Sequence, residues 1–339
     1  MMPLSNTSQT EISNALLNQA SLTIQNSQFK TKLSLKKERR IALLGLNGAG
    51  KSTFIRNLIG ESNNLNFDLQ YQTNESKLTK QSKQANLSIK ANKLISLKPN
   101  EQQFKKIMGY QADTMLPMAH LSVFEYLNLC AGFKEVSINE YNKNIKQVVS
   151  DWYLESIMKQ PLKTLSKGNM QKVAIAQVFI NNPKFLFFDE PCQSLDPIEQ
   201  ERFNKNITEL TGFSLCLFST HNVNHALTVA DDILIIHQSK IAYFYQRKSS
   251  IDYLLFSFEN EEILSKVLAS SLIEYKFLGS GLYKIKNSHL IDEFIKKNQE
   301  KFEFCLHEKE ALMPLFRLLA SNEWQPSDRQ MDNIENDLI

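Results

Sequence analysis

The feature that most constrains this chain is a glycine-rich segment between a short apolar run and a pattern of helical spacing. Residues 45–53 read Gly-Leu-Asn-Gly-Ala-Gly-Lys-Ser-Thr and fit the phosphate-binding pattern G-x-x-x-x-G-K-[ST]. The apolar run at 40–44 predicts a buried strand, and the apolar residues between 54 and 59 recur at helical spacing. A strand, a turn and a helix in this order indicate a phosphate-binding loop, because the backbone N–H groups that open the helix converge on an anion.

Glycine is scarce elsewhere in the chain, which strengthens this interpretation over that of a turn with an incidental lysine. Ten of the 339 residues are glycine, about 3% against an average of about 7%, yet three of the ten fall between positions 45 and 50. We expect Lys51 to bridge the terminal phosphates of a nucleotide and the Ser52 hydroxyl to bind Mg²⁺. The candidate nucleotide-binding residues are Gly45, Asn47, Gly48, Ala49, Gly50, Lys51, Ser52 and Thr53.

Two adjacent carboxylates follow an apolar run further along the chain. Residues 185–188 are Phe-Leu-Phe-Phe and predict a buried strand that ends at Asp189 and Glu190. Acidic residues often end strands and are then simply solvated. Downstream of a phosphate-binding loop, we interpret Asp189 as a magnesium ligand and Glu190 as the base that orients and deprotonates an attacking water.

Composition and charge exclude several classes of protein. With 42% apolar and 22% charged residues, the chain is typical of globular proteins. We expect a cytosolic protein, because no apolar run approaches the roughly 18 residues that span a bilayer and the N-terminus lacks the features of a secretory signal. The four cysteines are scattered without CxxC spacing, which argues against a zinc site. A net charge of +3 does not indicate nucleic acid binding, and we interpret the basic cluster of Lys36, Lys37, Arg39 and Arg40 as a solvated turn before a strand.

The order of predicted elements indicates an α/β fold with a mainly parallel sheet. Apolar strands are predicted at 40–44, 185–188, 215–218 and 233–236, and a helix is predicted over 169–180. The patterns Ser122-x-x-Glu125 and Ser137-x-x-Glu140 match capping boxes and predict two further helix starts. Asp196, followed by a proline, predicts another.

We expect two domains between two tails. A flexible N-terminal tail covers 1–19, the main domain 20–246, a small C-terminal α/β domain 250–325 and a second tail 326–339. Within the main domain, residues 61–92 are a polar insertion with edge strands at 67–72 and 86–89, or are disordered, and about residues 121–168 form a helical subdomain. In the C-terminal domain we predict strands at 253–258, 274–278, 283–285 and 302–306, and helices at 261–269 and 288–298.

A third motif lies between the glycine-rich segment and the two carboxylates. Residues 165–169 read Leu-Ser-Lys-Gly-Asn and are similar to the LSGGQ signature of ATP-binding cassette ATPases, the nucleotide-binding subunits of ABC transporters. Lys167 replaces one glycine of that signature, and Asn169 replaces its glutamine. The order of motifs resembles this family over about residues 20–245, whereas the C-terminal part resembles only loosely the extension of export-type members.

The resemblance implies roles for residues outside the first two motifs. Ser166, Gly168 and Asn169 are expected to contact the nucleotide held by a second subunit, with Asp196 at the family's D-loop aspartate. His221 follows a predicted strand, resembles the switch histidine of the family, and is expected to sense the γ-phosphate.

Two further positions are less closely matched. The register set by Gly109-Tyr110 and by residues 121–123 places Asp113 where the family has its Q-loop glutamine, and Gln111 is the alternative. Asp113 is therefore a candidate for holding magnesium or water. Phe29 is the candidate for stacking on adenine, and it is equally compatible with core packing.

The resemblance implies the fold of a P-loop NTPase of the ABC cassette type, with a mainly parallel core sheet, an antiparallel β edge and a helical subdomain. It implies ATP and Mg²⁺ as ligands, and a homodimer, or a pair with a related ATPase, around two ATP molecules. An integral membrane permease would be the partner, at the cytoplasmic face of the inner membrane. The alternatives are a soluble ABC ATPase that acts on ribosomes or DNA, and a nucleotide-gated regulatory subunit with little hydrolysis.

Overall fold

The computed structural model describes residues 19–25, 30–36, 38–61, 66–76, 90–97, 101–113, 118–136, 138–247, 253–258, 275–279, 282–286, 295–296 and 302–320. These residues form three β-sheets and several helices around them. The predicted tails at 1–19 and 326–339 lie almost wholly outside the described residues, and the predicted domain limits stay predictions.

A sheet of six strands forms the centre, in the order β10-β9-β3-β8-β7-β6. Its members are β3 (Arg39–Leu44), β6 (Met108–Gln111), β7 (Phe185–Phe188), β8 (Leu215–Thr220), β9 (Asp232–His237) and β10 (Lys240–Gln246). Five of them run parallel, and β10 pairs antiparallel with β9. The four predicted apolar strands are confirmed as β3, β7, β8 and β9. Because β8 lies between β3 and β7, the carboxyl ends of these three strands meet at one edge.

Alternating residues of each central strand are buried on opposite faces of this sheet, which explains why the strands read as continuous apolar runs. On one face, Ile41, Leu43, Phe185, Phe187, Leu215 and Leu217 pack with residues of α1 (Lys51–Leu58) and α2 (Gln102–Ile107). On the other face, Ala42, Leu44, Leu186, Phe188, Cys216 and Phe218 pack with residues of α5 (Lys167–Ala176), α6 (Pro197–Glu209) and α7 (Val223–Val229).

The helical part between β6 and β7 contains α3 (Val123–Phe133), α4 (Ile138–Asp151) and α5. The predicted capping box at α3 is confirmed, because Ser122 Oγ accepts from the Glu125 N–H and the Glu125 carboxylate accepts from the Ser122 N–H. Ser137, which precedes α4, lies outside the described residues. The helix predicted over 169–180 begins earlier, at Lys167, because Ser166 caps it, and after Ala176 it tightens into a 3-10 turn.

A four-stranded antiparallel sheet has the order β2-β1-β4-β5 and confirms the antiparallel edge. Its members are β1 (Gln19–Gln25), β2 (Lys30–Lys36), β4 (Asn66–Ser76) and β5 (Lys90–Leu97). Strand β4 covers the predicted strand at 67–72, whereas the predicted strand at 86–89 lies outside the described residues.

The C-terminal part forms an antiparallel sheet of order β12-β13-β11-β14. Its members are β11 (Tyr253–Phe258), β12 (Tyr275–Gly279), β13 (Leu282–Lys286) and β14 (Phe302–His307), followed by α8 (Glu308–Ala320). The four predicted strands are confirmed, whereas the helices predicted at 261–269 and 288–298 lie outside the described residues apart from 295–296. Buried Glu308 joins this part to the six-stranded sheet, because it accepts hydrogen bonds from the Tyr243 hydroxyl of β10 and from Lys284 Nζ.

The prediction of a solvated turn is wrong for Arg39 and Arg40. Both side chains are largely buried at the start of β3. Arg39 pairs with the Asp232 carboxylate, and Arg40 donates to the carbonyls of Ile207, Thr208 and Leu210 at the end of α6. The Arg39 guanidinium thus pairs with a carboxylate, and the Arg40 guanidinium donates to carbonyl groups at a helix end that lack donors within the helix.

Among the described residues, none of the helices has the combination of length and apolar character that a membrane span needs.

Candidate functional site

The glycine-rich segment forms the turn between β3 and α1. The Gly45 N–H donates to the Thr220 carbonyl at the end of β8, and Gly48 and Gly50 adopt positive φ angles of 79° and 102°. A Cβ on Gly50 would lie 2.9 Å from Ser239 Cα. Glycine is therefore required at position 50 by conformation and by space.

Lys51 opens helix α1 and is buried inside this turn. Its Nζ donates to the carbonyls of Gly45 (2.9 Å) and Leu46 (3.1 Å). The same nitrogen forms an ion pair with Glu190 Oε1 at 3.0 Å. Three oxygens thus surround a cation at the position that the sequence assigns to phosphate binding.

The two residues with carboxylates predicted at the end of β7 are both held by Ser219, and Glu190 is the one that pairs with this lysine. The buried Ser219 hydroxyl donates to Asp189 Oδ1 at 2.7 Å and accepts from the Glu190 N–H at 2.7 Å. The sequence prediction gave Ser219 no role, because a serine that ends an apolar strand has no motif of its own. Its position on β8, next to β7, creates the contact.

Glu190 adopts a backbone conformation that is rare for its residue type. Its φ is +47°, which costs a non-glycine residue about 1–2 kcal/mol. One carboxylate oxygen is paired with Lys51, and the other accepts from His221 Nδ1 at 3.2 Å. His221 is half exposed directly after β8, where the sequence predicted it. The structure thus brings Lys51, Glu190 and His221 together at the carboxyl ends of β3, β7 and β8.

Gln111 and Asp113 both lie near these carboxylates, so the two Q-loop alternatives stay open. The Gln111 amide is buried, and its nitrogen donates to the Asp189 carbonyl at 3.1 Å. Its oxygen has no hydrogen-bond partner among the described residues. Asp113 is exposed at the surface. Its pKa is raised mainly by partial desolvation and, to a lesser degree, by the negative charges of Asp189 and Glu190.

The residues available for Mg²⁺ are of the right chemical kind. Asp189 Oδ2 is buried and has no hydrogen-bond partner among the described residues, whereas the other carboxylate oxygen, Oδ1, accepts from the Ser219 hydroxyl. Ser52 is half-buried in the first turn of α1, and Asp113 is near enough to Asp189 for its pKa to respond. Carboxylate and hydroxyl oxygens are ligands that Mg²⁺ prefers, so this set fits the ion.

The signature-like segment lies at the start of α5. Ser166 is exposed and caps the helix, because its Oγ accepts from the Asn169 N–H at 3.2 Å. Gly168 faces the segment that follows Glu190, since an added Cβ would lie 3.2 Å from the Ser194 carbonyl oxygen. That segment ends at Asp196, which is exposed and caps α6 by accepting from the Glu199 N–H at 2.9 Å.

The remaining candidates differ in how far the structure describes them. Asn47 and Thr53 are exposed in and after the turn, and Ala49 is buried. The Ala49 carbonyl accepts from the Ser239 N–H at 2.7 Å, so the turn between β9 and β10 supports the glycine-rich segment. Phe29 lies outside the described residues, and its role stays a prediction.

Comparison with known proteins agrees with this geometry. Residues 29–193 match the family described as ABC transporter. The spermidine/putrescine import ATP-binding protein PotA of Clostridioides difficile (strain 630) is 28% identical over 216 residues, which are 62% of this chain and 54% of that protein. An uncharacterized ABC transporter ATP-binding protein of Nostoc sp. (strain PCC 7120 / SAG 25.82 / UTEX 2576) is 26% identical over 254 residues, 71% of this chain and 68% of that protein. The chain spans about half the length of the PotA proteins that it matches.

Solved structures show the same fold. The dimeric structure of a post-hydrolysis state of the ATP-binding cassette MJ0796 bound to ADP and Pi has a TM-score of 0.51 at 18% identity, and the match covers 69% of this chain and 97% of that chain. The expected α/β cassette fold is thereby confirmed. Over residues 29–193, this chain is similar to the ABC transporter family.

Proposed function

We propose that this chain binds and hydrolyses ATP as the nucleotide-binding subunit of an ABC transporter. The observation that carries the proposal is the meeting of Lys51, Glu190 and His221 at the ends of three adjacent parallel strands. A cation for phosphates, a carboxylate base and a polar group next to that base are what hydrolysis of a phosphoanhydride requires.

In this proposal the glycine-rich turn binds the phosphates of ATP. The residues that form the turn or open α1 are Gly45, Asn47, Gly48, Ala49, Gly50, Lys51, Ser52 and Thr53. The Lys51 ammonium, paired with Glu190 and with two carbonyls, would exchange these partners for phosphate oxygens. That exchange releases the Glu190 carboxylate, so phosphate binding and the freeing of the base are coupled through a single side chain.

Glu190 would act as the general base toward water, and its pairing supports this role. Ser219 holds its backbone and His221 contacts its carboxylate, so the base is oriented before substrate binds. His221 is exposed enough to reach a phosphate as well. Asp189 and Ser52, with Asp113 near them, would hold Mg²⁺, which neutralises charge on the phosphates when it is bound.

We further propose that two copies form a sandwich around two ATP molecules. Ser166, Asn169 and Asp196 lie at the starts of α5 and α6, and the helix dipole at the start of α5 favours an anion. Ser166 and Asp196 are exposed, while Gly168 and Asn169 are partly so. In the dimer, this surface would face the nucleotide of the second copy. The related cassette MJ0796 is a dimer in its solved structure.

A separate membrane permease would be the partner, and the chain would then lie at the cytoplasmic face of the inner membrane. The names of the relatives support a transport role, since PotA is an import ATP-binding protein. The expected export type stays a prediction, because these relatives are import proteins and cover only part of this chain.

The test is Mg²⁺-dependent ATP hydrolysis by the purified full chain, compared with the variant Lys51→Ala. The variant should lose ATP binding and hydrolysis, because it removes the buried ammonium group that would bind the phosphates. Lys106→Ala is the matched control: this exposed lysine forms a surface ion pair with Glu135, and its loss should leave hydrolysis unchanged.

Purification from membranes tests the partner. Recovery with an integral membrane protein supports the transporter role, whereas recovery with ribosomes or DNA would overturn it. A wild-type chain that binds ATP without turnover, alone and with its partner, would indicate a regulatory subunit.

A further inference from the structure

A buried histidine that the sequence prediction left without a role lies close to the proposed site. His225 is in α7, one turn after His221, and its ring packs against Phe203 and Phe218 at centroid distances of 6.2 and 5.2 Å. Burial is the main cause that lowers the pKa of His225 to about 4, and the nearby His221 contributes to the same shift. The ring is therefore neutral near pH 7, with one N–H donor and one acceptor nitrogen.

The partners of the ring fix the direction of each hydrogen bond. Nε2 lies 2.9 Å from Asn204 Oδ1, which only accepts, so Nε2 carries the proton. Nδ1 is then the acceptor and lies 3.3 Å from the Thr220 hydroxyl, which donates to it. The Thr220 Oγ1 in turn accepts from the Asn222 N–H at 3.1 Å. The Nε2 N–H, the Thr220 hydroxyl and the Asn222 N–H thus each have an acceptor.

The path connects three segments that the sequence separates. Asn204 belongs to α6, which Asp196 caps, and Thr220 and Asn222 are the two neighbours of His221. Nε2 also lies 3.6 Å from Cys192 Sγ, in the segment that leads from Glu190 to Asp196. Burial raises the pKa of Cys192 to about 12, so this partner is a neutral thiol.

We propose that His225 is a positioning residue for ATP hydrolysis, which fixes the backbone on both sides of His221 relative to α6 and to the segment after Glu190. The proposal rests on the proposed function. His221 itself is half exposed, and its contact with Glu190 depends on where its backbone lies. The hydrogen bonds of His225 determine that position from the buried side.

Two substitutions at this position separate hydrogen bonding from packing. His225→Phe keeps an aromatic ring between Phe203 and Phe218 but removes the donor and the acceptor. His225→Gln keeps a donor and an acceptor and removes the ring. We expect His225→Phe to lower kcat about 5–10-fold with the KM for ATP unchanged, and His225→Gln to stay within about twofold of the wild type.

Thr220→Val provides a second variant that needs no change at the histidine. It preserves the shape of a buried side chain and removes the hydroxyl that donates to Nδ1. It should reduce kcat to a similar degree. Asn206→Ala, on the same helix as Asn204 but bonded outside the path to the Asp151 carbonyl, is the control and should leave kcat unchanged.

The outcomes distinguish this inference from the proposed function. If the wild type hydrolyses no ATP, the proposed function fails. If it does hydrolyse ATP, and His225→Phe retains full kcat while His225→Gln loses it, the ring serves packing and the inference is wrong. Equilibrium binding of ATP should be unchanged in all variants, and a loss of binding would also contradict a positioning role.

Discussion

Replacing Ser219 by alanine removes a hydroxyl that contacts both residues of the carboxylate pair. The hydroxyl donates to the Asp189 carboxylate and accepts from the Glu190 N–H, at 2.7 Å in each case, and Ser219 is fully buried. A hydrogen bond to a charged group contributes about 1.5–3 kcal/mol, and a neutral one about 1 kcal/mol. We therefore expect Ser219→Ala to lower the free energy of unfolding by about 2–4 kcal/mol.

Urea unfolding followed by circular dichroism measures this loss. Cys216→Ala is the matched control, because it truncates another buried side chain of β8 by one heavy atom at a distance from both carboxylates. The control should cost about 1 kcal/mol. If Ser219→Ala costs no more than the control, Ser219 does not hold the carboxylate pair, and the reasoning is refuted.

Two further predictions concern the backbone and pH. Gly109→Ala should destabilise the fold by about 2–3 kcal/mol, because the new Cβ would lie 2.5 Å from the Val178 carbonyl oxygen. Gly132→Ala in α3 is the matched control: its Cβ would meet nothing within 4 Å, and it should stabilise the fold by about 0.5–1 kcal/mol. Similar shifts in Tm for the two variants would contradict this prediction. The pKa of His225 falls from 6.5 to about 4 on folding, so between these values the unfolded chain binds a proton that the folded chain does not. The contribution of neutral His225 to the free energy of unfolding is therefore fully present above pH 6.5 and is lost toward pH 4, by up to about 1.4 kcal/mol per pH unit. The free energy of unfolding of His225→Gln should depend less on pH in this range. If its pH dependence coincides with that of the wild type, His225 is not the group responsible.

The local part of the site could be predicted from the sequence. The glycine-rich turn, the strand that ends at Asp189 and the cap at Asp196 each depend on neighbouring residues, and each forms where it was expected. The contacts between them depend on strand order. That β8 lies between β3 and β7 is a property of the whole sheet, so the role of Ser219 and the Lys51 ion pair were not visible in any local pattern.

The same distinction holds for the fold. Strand β6 was not predicted, because four residues that include a glycine give a weak signal. Helix α8 was not predicted either, and it contains Pro314, which usually argues against a helix interior. Arg39 and Arg40 resemble a solvated turn in sequence, and only their distant partners show that they are structural.

The variant Glu190→Gln tests the central claim most directly. It removes the proposed base while keeping the shape of the side chain, and general-base catalysis contributes about 100-fold or more. ATP should bind at least as tightly as to the wild type, because Lys51 no longer has a charged partner at 3.0 Å to exchange for phosphate. The measurement is steady-state hydrolysis together with ATP binding and size-exclusion chromatography in ATP. We predict turnover lowered at least about 100-fold, retained ATP binding and a trapped dimer, whereas unchanged turnover would contradict the assignment of Glu190 and the proposed mechanism.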